Sequence, residues 1–209
     1  MQQQPVIVNS TYKYLALGDS YTIGQSVCDT CRFPEQLKSK LKTAFPNDNI
    51  SLNIIATTGW TTTQLINAIN IQNPNVDNDL VTLLIGVNNQ YQHKPFSLYE
   101  SEFPALVNTA IALGKGDKTN VIVVSIPDYA YTPYGNGNTN ISAEITQYNM
   151  FAQNYCIENQ IEFVYITDIT QQGLINPGLV ASDGLHPSQI GYQKFVERLL
   201  PVAIEVLSN

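Results

Sequence analysis

Five short apolar runs, separated by longer amphipathic stretches, constrain the fold of this chain more than any other feature. They are Tyr14–Leu17, Ile50–Ala56, Leu80–Ile85, Val121–Ile126 and Ile161–Ile166. Leu80–Ile85 is a run of the kind buried on both faces of a sheet, and Val121–Ile126 is rich in β-branched residues. The stretches between them carry apolar residues at helical spacing: Leu37, Leu41 and Ala44; Leu65, Ile66 and Ile69; Leu98, Leu106, Ala110 and Leu113; Ile145, Tyr148, Ala152 and Tyr155; Ile190, Phe195, Val196, Leu199 and Leu200. Strands joined by helices pair in parallel, and a parallel sheet needs helices on both faces. An α/β sandwich is therefore expected, as one domain over residues 1–209, with no repeat and no interdomain linker.

Punctuation residues place the element ends. Phe33-Pro34-Glu35 opens a helix that Pro46 and Asn47 follow, and any of Thr61, Thr62 and Thr63 can cap the next one. Pro104 is expected to interrupt the helix containing Leu98 and Leu106. Tyr129 to Asn140 reads as the longest stretch without regular structure.

A hydrophobic content of 44% with only 13% charged residues fits a compact domain with an uncharged polar surface. The formal net charge of −7 and the lack of any basic cluster argue against nucleic acid and anionic membrane surfaces as partners. No apolar run approaches the roughly 18 residues that span a bilayer. Met1-Gln2-Gln3-Gln4-Pro5 has neither a basic n-region nor an apolar h-region, so no signal peptide is read there. Cys28 and Cys31 form a C-x-x-C pair that suits a local disulfide, a redox pair or half a zinc site. No second ligand pair supports zinc, and a loop position does not suit a thioredoxin-type motif; a structural or incidental role is expected. Cys156 falls on an apolar helix face and reads as core.

The chemistry-bearing residues follow the strand ends. Ser20 stands in Leu17-Gly18-Asp19-Ser20-Tyr21-Thr22, Gly59 follows the second strand, and Asn88 follows the third. In open parallel sheets the ligand crevice lies beyond the carboxyl ends of the strands, so these three are expected on one edge. A serine hydroxyl needs a base to become a nucleophile, and only His93 and His186 offer an imidazole. His93 lies beside Lys94 with no nearby carboxylate, whereas His186 has Asp183 three residues upstream to orient its ring. The amides of Ser20 and Gly59 and the side chain of Asn88 are candidate donors to an oxyanion. Asp19 reads as an acceptor for loop amides.

With those residues in place the chain resembles the SGNH (GDSL-type) hydrolases. Gly18-Asp19-Ser20 matches the nucleophile block, Gly59 the second, Gly86-Val87-Asn88-Asn89 the third and Asp183-Gly184-Leu185-His186 the last, in the family's order. The third block usually ends in Asp, so Asn89 departs from the pattern and puts one supporting hydrogen bond in doubt. The resemblance implies a flavodoxin-like three-layer α/β/α sandwich on a five-stranded parallel sheet. It also implies ester hydrolysis through an acyl-enzyme, with Ser20, His186 and Asp183 catalytic, Ser20, Gly59 and Asn88 in the oxyanion hole, and no metal or organic cofactor. No serine lies in a G-x-S-x-G elbow, which sets aside the other common serine-hydrolase layout.

Substrate clues are fewer. Trp60 reads equally as a wall of the site or as core, and Asn89 is a further candidate contact. Tyr129, Tyr131 and Tyr134 form either a binding surface at the catalytic edge or an exposed loop. No apolar lid segment is present, so a small acyl ester is favoured, with a sugar acetyl ester or a lysophospholipid next. A flavodoxin-like binding module is the non-enzyme rival, and a nucleotide-binding oxidoreductase lacks its Gly-rich loop.

Overall fold

The sheet forms as its apolar runs demand, with lengths set by position. A computed structural model describes residues 9–209; the Met1–Pro5 segment on which the signal-peptide reading rests lies outside the described residues. In chain order the elements are β1 (Thr11–Gly18), α1 (Ser20–Ile23), α2 (Phe33–Ala44), β2 (Asn49–Ala56), α3 (Thr62–Gln72), β3 (Leu80–Leu84), α4 (Val87–Tyr91) and α5 (Phe96–Leu113). There follow β4 (Val121–Val124), α6 (Thr139–Asn159), β5 (Glu162–Val164), α7 (Thr167–Thr170) and α8 (Gln189–Ser208). The strands are all parallel in the order β2-β1-β3-β4-β5. That is the flavodoxin-like order, with the direction of winding reversed between β1 and β3.

Helices cover both faces. α2 packs on α8, and α3, α5 and α6 pack in succession, giving three layers. Every residue of β3 is buried, as its unbroken apolar character requires in a central strand. β2, at an edge, instead alternates buried Ile50 with exposed Ser51 and Asn53. Burying a Leu or Ile side chain from this core contributes about 1.5–3 kcal/mol, which offsets the ~1–2 kcal/mol of backbone entropy and ~0.5–1 kcal/mol of side-chain entropy lost at that residue.

Local signals explain the helix ends. Thr61 caps α3 through a reciprocal box with Gln64, whose Oε1 accepts the Thr61 amide at 2.8 Å. Asn138 caps α6 by accepting the Asn140 amide at 3.0 Å. Two expectations need correction. α5 runs straight through Pro104; the carbonyl that loses its donor belongs to the exposed Glu100, where water can replace the missing amide. The Tyr129–Asn140 stretch is also more ordered than expected, since Tyr129–Tyr131 forms a 3₁₀ turn. Asp128 accepts the Ala130 amide, and Thr132 both donates to the Tyr129 carbonyl and accepts from Gly135. Short polar side chains thus supply the backbone partners that regular structure would otherwise provide.

Cys28 and Cys31 are joined by a disulfide flanking a 3₁₀ turn between α1 and α2, which selects the local-disulfide reading over zinc. Cys156 is buried, and burial pushes its thiol up to about 12.

Candidate active site

Strand register brings the site together. Gly18 at the end of β1 pairs with Ala56 of β2 and Leu84 of β3, so three strands finish level with one another. Ser20, Gly59 and Asn88 lie a few residues past those three ends and converge on one cleft. Gly18 must be glycine: a Cβ there would stand 2.1 Å from Thr22 Oγ1 and 2.5 Å from the Leu84 carbonyl oxygen. The chain can turn sharply into α1 only because that space is empty.

Ser20 is the first residue of α1, with Asp19 as its cap, and its amide is among those a helix start leaves without an intrahelical partner. Asp19 Oδ1 accepts the Tyr21 amide at 3.0 Å. Asp19 is fully buried, and that burial pushes its carboxyl up to about 7 against the opposing hydrogen bonds from Tyr21 and Asn88. Gly59 has φ +85° and nothing within 4 Å of where a Cβ would lie, so its backbone is open to the cleft. Asn88, in the first turn of α4, donates from Nδ2 to the Trp60 carbonyl at 3.0 Å and, at a looser 3.4 Å, to Asp19 Oδ2.

From the opposite side the loop before α8 brings in Asp183 and His186. His186 Nδ1 lies 2.6 Å from Asp183 Oδ2, while Asp183 Oδ1 accepts the amides of Leu185 at 2.9 Å and His186 at 3.0 Å. Partial burial works against ionisation of Asp183, but hydrogen bonds from Ser26, His186 and the two amides outweigh it. Its carboxyl is held well below the usual carboxylate range. The loop itself is pinned by the Ala181 amide on the His186 carbonyl at 2.7 Å. The Tyr21 ring packs 5.0 Å from the imidazole.

Ser20, Gly59, Asn88 and His186 all line one cleft of about 160 Å³, with Tyr21, Thr58, Val87, Tyr91, Tyr129 and Leu185. A nearly filled apolar cavity of about 20 Å³ adjoins it behind His186. No hydrogen bond joins Ser20 Oγ to His186 among the described residues; such contacts are often loose before substrate binds. His93 lies outside the cleft, at φ +52° in the turn after α4.

The other predicted residues separate. Tyr129 lines the cleft, its hydroxyl donating to Gln90 Oε1 at 2.8 Å. Tyr131 does not line it. The Trp60 ring packs against the core, and only its carbonyl serves the site. Asn89 is no substrate contact either: it is completely buried, with Oδ1 accepting the Thr62 amide at 2.9 Å and Nδ2 donating to Thr62 Oγ1 at 2.6 Å. An amide can both accept and donate there, so Asn89 fastens the start of α3 to α4. Sequence reasoning missed Tyr91, one helical turn after Asn88, where helical spacing was the available signal, and Tyr21, where the signal was its place next to Ser20.

Among the described residues no group of three or more His, Cys, Asp or Glu side chains could hold a metal ion, and no helix is long and apolar enough to cross a membrane.

Solved structures share this architecture. An acetylxylan esterase from Geobacillus stearothermophilus superposes with a TM-score of 0.70 at 21% identity, covering 93% of this chain and 95% of its own. A lipase from a goat rumen metagenome gives 0.73 at 19%, covering 91% and 97%. A member of the lipolytic G-D-S-L family from Veillonella parvula gives 0.70 at 16%, covering 96% and 100%. No curated protein sequence matches the chain. The sequence profile of the GDSL-like lipase/acylhydrolase family matches residues 16–194, from the end of β1 into α8 and across the whole cleft, and the chain belongs to that family of carboxylic ester hydrolases.

Proposed function

We propose that the protein hydrolyses small acyl esters through a covalent acyl-enzyme on Ser20. The observation that carries this reading is the Asp183–His186 pair at 2.6 Å, facing the same cleft as Ser20. His186 Nε2 takes the Ser20 proton as Oγ attacks the ester carbonyl, and Asp183 fixes the tautomer and stabilises the imidazolium. The oxyanion is received by the amides of Ser20 and Gly59 and by Asn88 Nδ2. One Asn88 proton is committed to the Trp60 carbonyl at 3.0 Å; the other makes only the loose 3.4 Å contact with Asp19, which leaves it available to an oxyanion in the cleft. His186 then returns the proton to the leaving alcohol. A water, activated by the same imidazole, cleaves the acyl-enzyme to the carboxylic acid.

The small cleft and the nearly filled cavity beside it favour a short acyl group. One observation supports a sugar as the alcohol. Tyr91, Tyr129 and Tyr134 gather at one side with ring centroids 6.0–6.3 Å apart, and the Tyr91 and Tyr134 hydroxyls meet at 2.7 Å. Both of these tyrosines are about half exposed, a surface suited to the apolar face of a carbohydrate, and one structural neighbour is an acetylxylan esterase.

Ser20→Ala is the test. It should lower kcat on p-nitrophenyl acetate by several orders of magnitude and abolish fluorophosphonate labelling while the fold survives. Turnover within tenfold of the parent would remove Ser20 from the mechanism.

A further inference from the structure

Asp183 receives one hydrogen bond beyond those the mechanism requires. Ser26 Oγ donates to Asp183 Oδ2 at 2.6 Å, from a loop 157 residues away in sequence. Oδ2 is the same oxygen that holds His186 Nδ1, whereas Oδ1 is taken up by amides of Asp183's own turn. Ser26 is thus the one hydrogen-bonding side chain that reaches this carboxylate from outside the Asp183–His186 turn among the described residues.

The loop that presents Ser26 is built for that position. Ser26 has φ +67°, a left-handed conformation that a non-glycine residue adopts only under constraint from its surroundings. Before it, Gly24 ends α1 at φ +81°. Gln25 accepts a hydrogen bond from Thr58 at 2.6 Å, beside Gly59. After it, the Cys28–Cys31 disulfide closes the next turn, and Arg32 donates back to the Ile23 carbonyl at 3.4 Å. The loop therefore braces both the base side and the Gly59 side of the cleft.

We infer that Ser26 is a positioning residue for hydrolysis: its hydroxyl anchors the Asp183 oxygen that orients His186 and shares that oxygen's charge between two donors. The inference rests on the reading of Ser20, His186 and Asp183 proposed above. A carboxylate oxygen shared by two donors is a weaker partner for each. Without the Ser26 hydroxyl, Oδ2 serves the imidazole alone, so His186 keeps its proton to higher pH and is less firmly aimed. The groups facing this pair from packed elements are the phenols of Tyr21, Tyr129 and Tyr192, with Asp19 behind them. Burial drives Tyr21 and Tyr192 well above the ordinary phenol range and Tyr129 up to about 12, so all three stay neutral. Arg32, on the Ser26 loop, is engaged with Asp29 and Glu35. Asp19 is unaltered in Ser26 variants and contributes equally to both sides of the comparison.

Ser26→Ala removes the hydroxyl and keeps the backbone strain; Ser26→Gly removes the hydroxyl and relieves it. Steady-state kinetics on p-nitrophenyl acetate across pH would be paired with NMR titration of the two histidines, His93 serving as internal reference. In both variants the acid limb of kcat/KM, and the His186 signal that accompanies it, should move to higher pH. In both, kcat should fall about ten- to hundredfold with KM nearly unchanged, the loss of one hydrogen bond to a charged group. A merely structural role would reduce folded protein in Ser26→Ala, recover in Ser26→Gly, and leave the titration in place. A Ser20-dependent esterase whose His186 titration does not move in either variant overturns this inference alone. Absence of any Ser20-dependent turnover in the parent overturns the reading of the site and this inference with it.

Discussion

Asp19→Asn tests whether the carboxyl group next to Ser20 is held protonated by burial. Asparagine is nearly isosteric and caps helices as well as aspartate, so the Tyr21 amide keeps its acceptor. Asp19 has its carboxyl raised from an ordinary value of 3.8 to about 7, chiefly by burial. Between those values folding takes up a proton. The stability this group contributes is therefore complete below about pH 4 and is lost as pH rises through about 7. From pH 5 to pH 9 roughly two units of that shift are traversed, and at 1.36 kcal/mol per unit the parent loses about 3 kcal/mol from Asp19. The variant has no charge to bury and escapes this loss. Its new amide opposes the Asn88 amide across the 3.4 Å contact, a cost of about 1 kcal/mol that is the same at both pH values. Urea unfolding of both proteins at pH 5 and pH 9 gives the stability difference at each pH, and subtraction cancels every other titrating group. The variant should gain about 3 kcal/mol on the parent between the two conditions. A difference under about 1 kcal/mol, or one of opposite sign, would refute a buried neutral Asp19.

The remaining predictions concern the cleft and its supports. On the proposed role of its amide as an oxyanion donor, Asn88→Ala should lower kcat by roughly 10²–10³ with KM little changed; a change confined to KM would assign it to ground-state binding. His186→Ala should abolish turnover and fluorophosphonate labelling while His93→Ala is nearly silent, and the reverse pattern would reassign the base. Asn89→Ala strands the buried Thr62 amide and should cost about 1–3 kcal/mol in urea unfolding with little effect on kcat per folded molecule; a catalytic defect without destabilisation would contradict its bracing role. The Cys28–Cys31 disulfide closes only a short loop, so its reduction should cost at most about 2 kcal/mol of global stability, checked by thermal unfolding with and without reductant.

The sequence by itself determined the layer architecture and the candidate chemistry. Apolar runs such as Leu80–Leu84 can be satisfied only by burial on both faces, and helices between parallel strands leave little choice of handedness or class. Ser20, Asn88 and the Asp183–His186 pair were legible for a related reason: each sits at a strand end or within a single turn, where local spacing implies geometry. What lay between distant segments was decided by the tertiary structure alone. Strand order and register bring Gly18 level with Ala56 and Leu84, and nothing in any one strand encodes its neighbours' alignment. The same holds for Asn89, whose bond to Thr62 turns a suspected substrate contact into a brace, and for Ser26, which reaches Asp183 across most of the chain. A side chain's role is set by the partner that packing brings to it, and packing depends on the whole core rather than on the few residues around it.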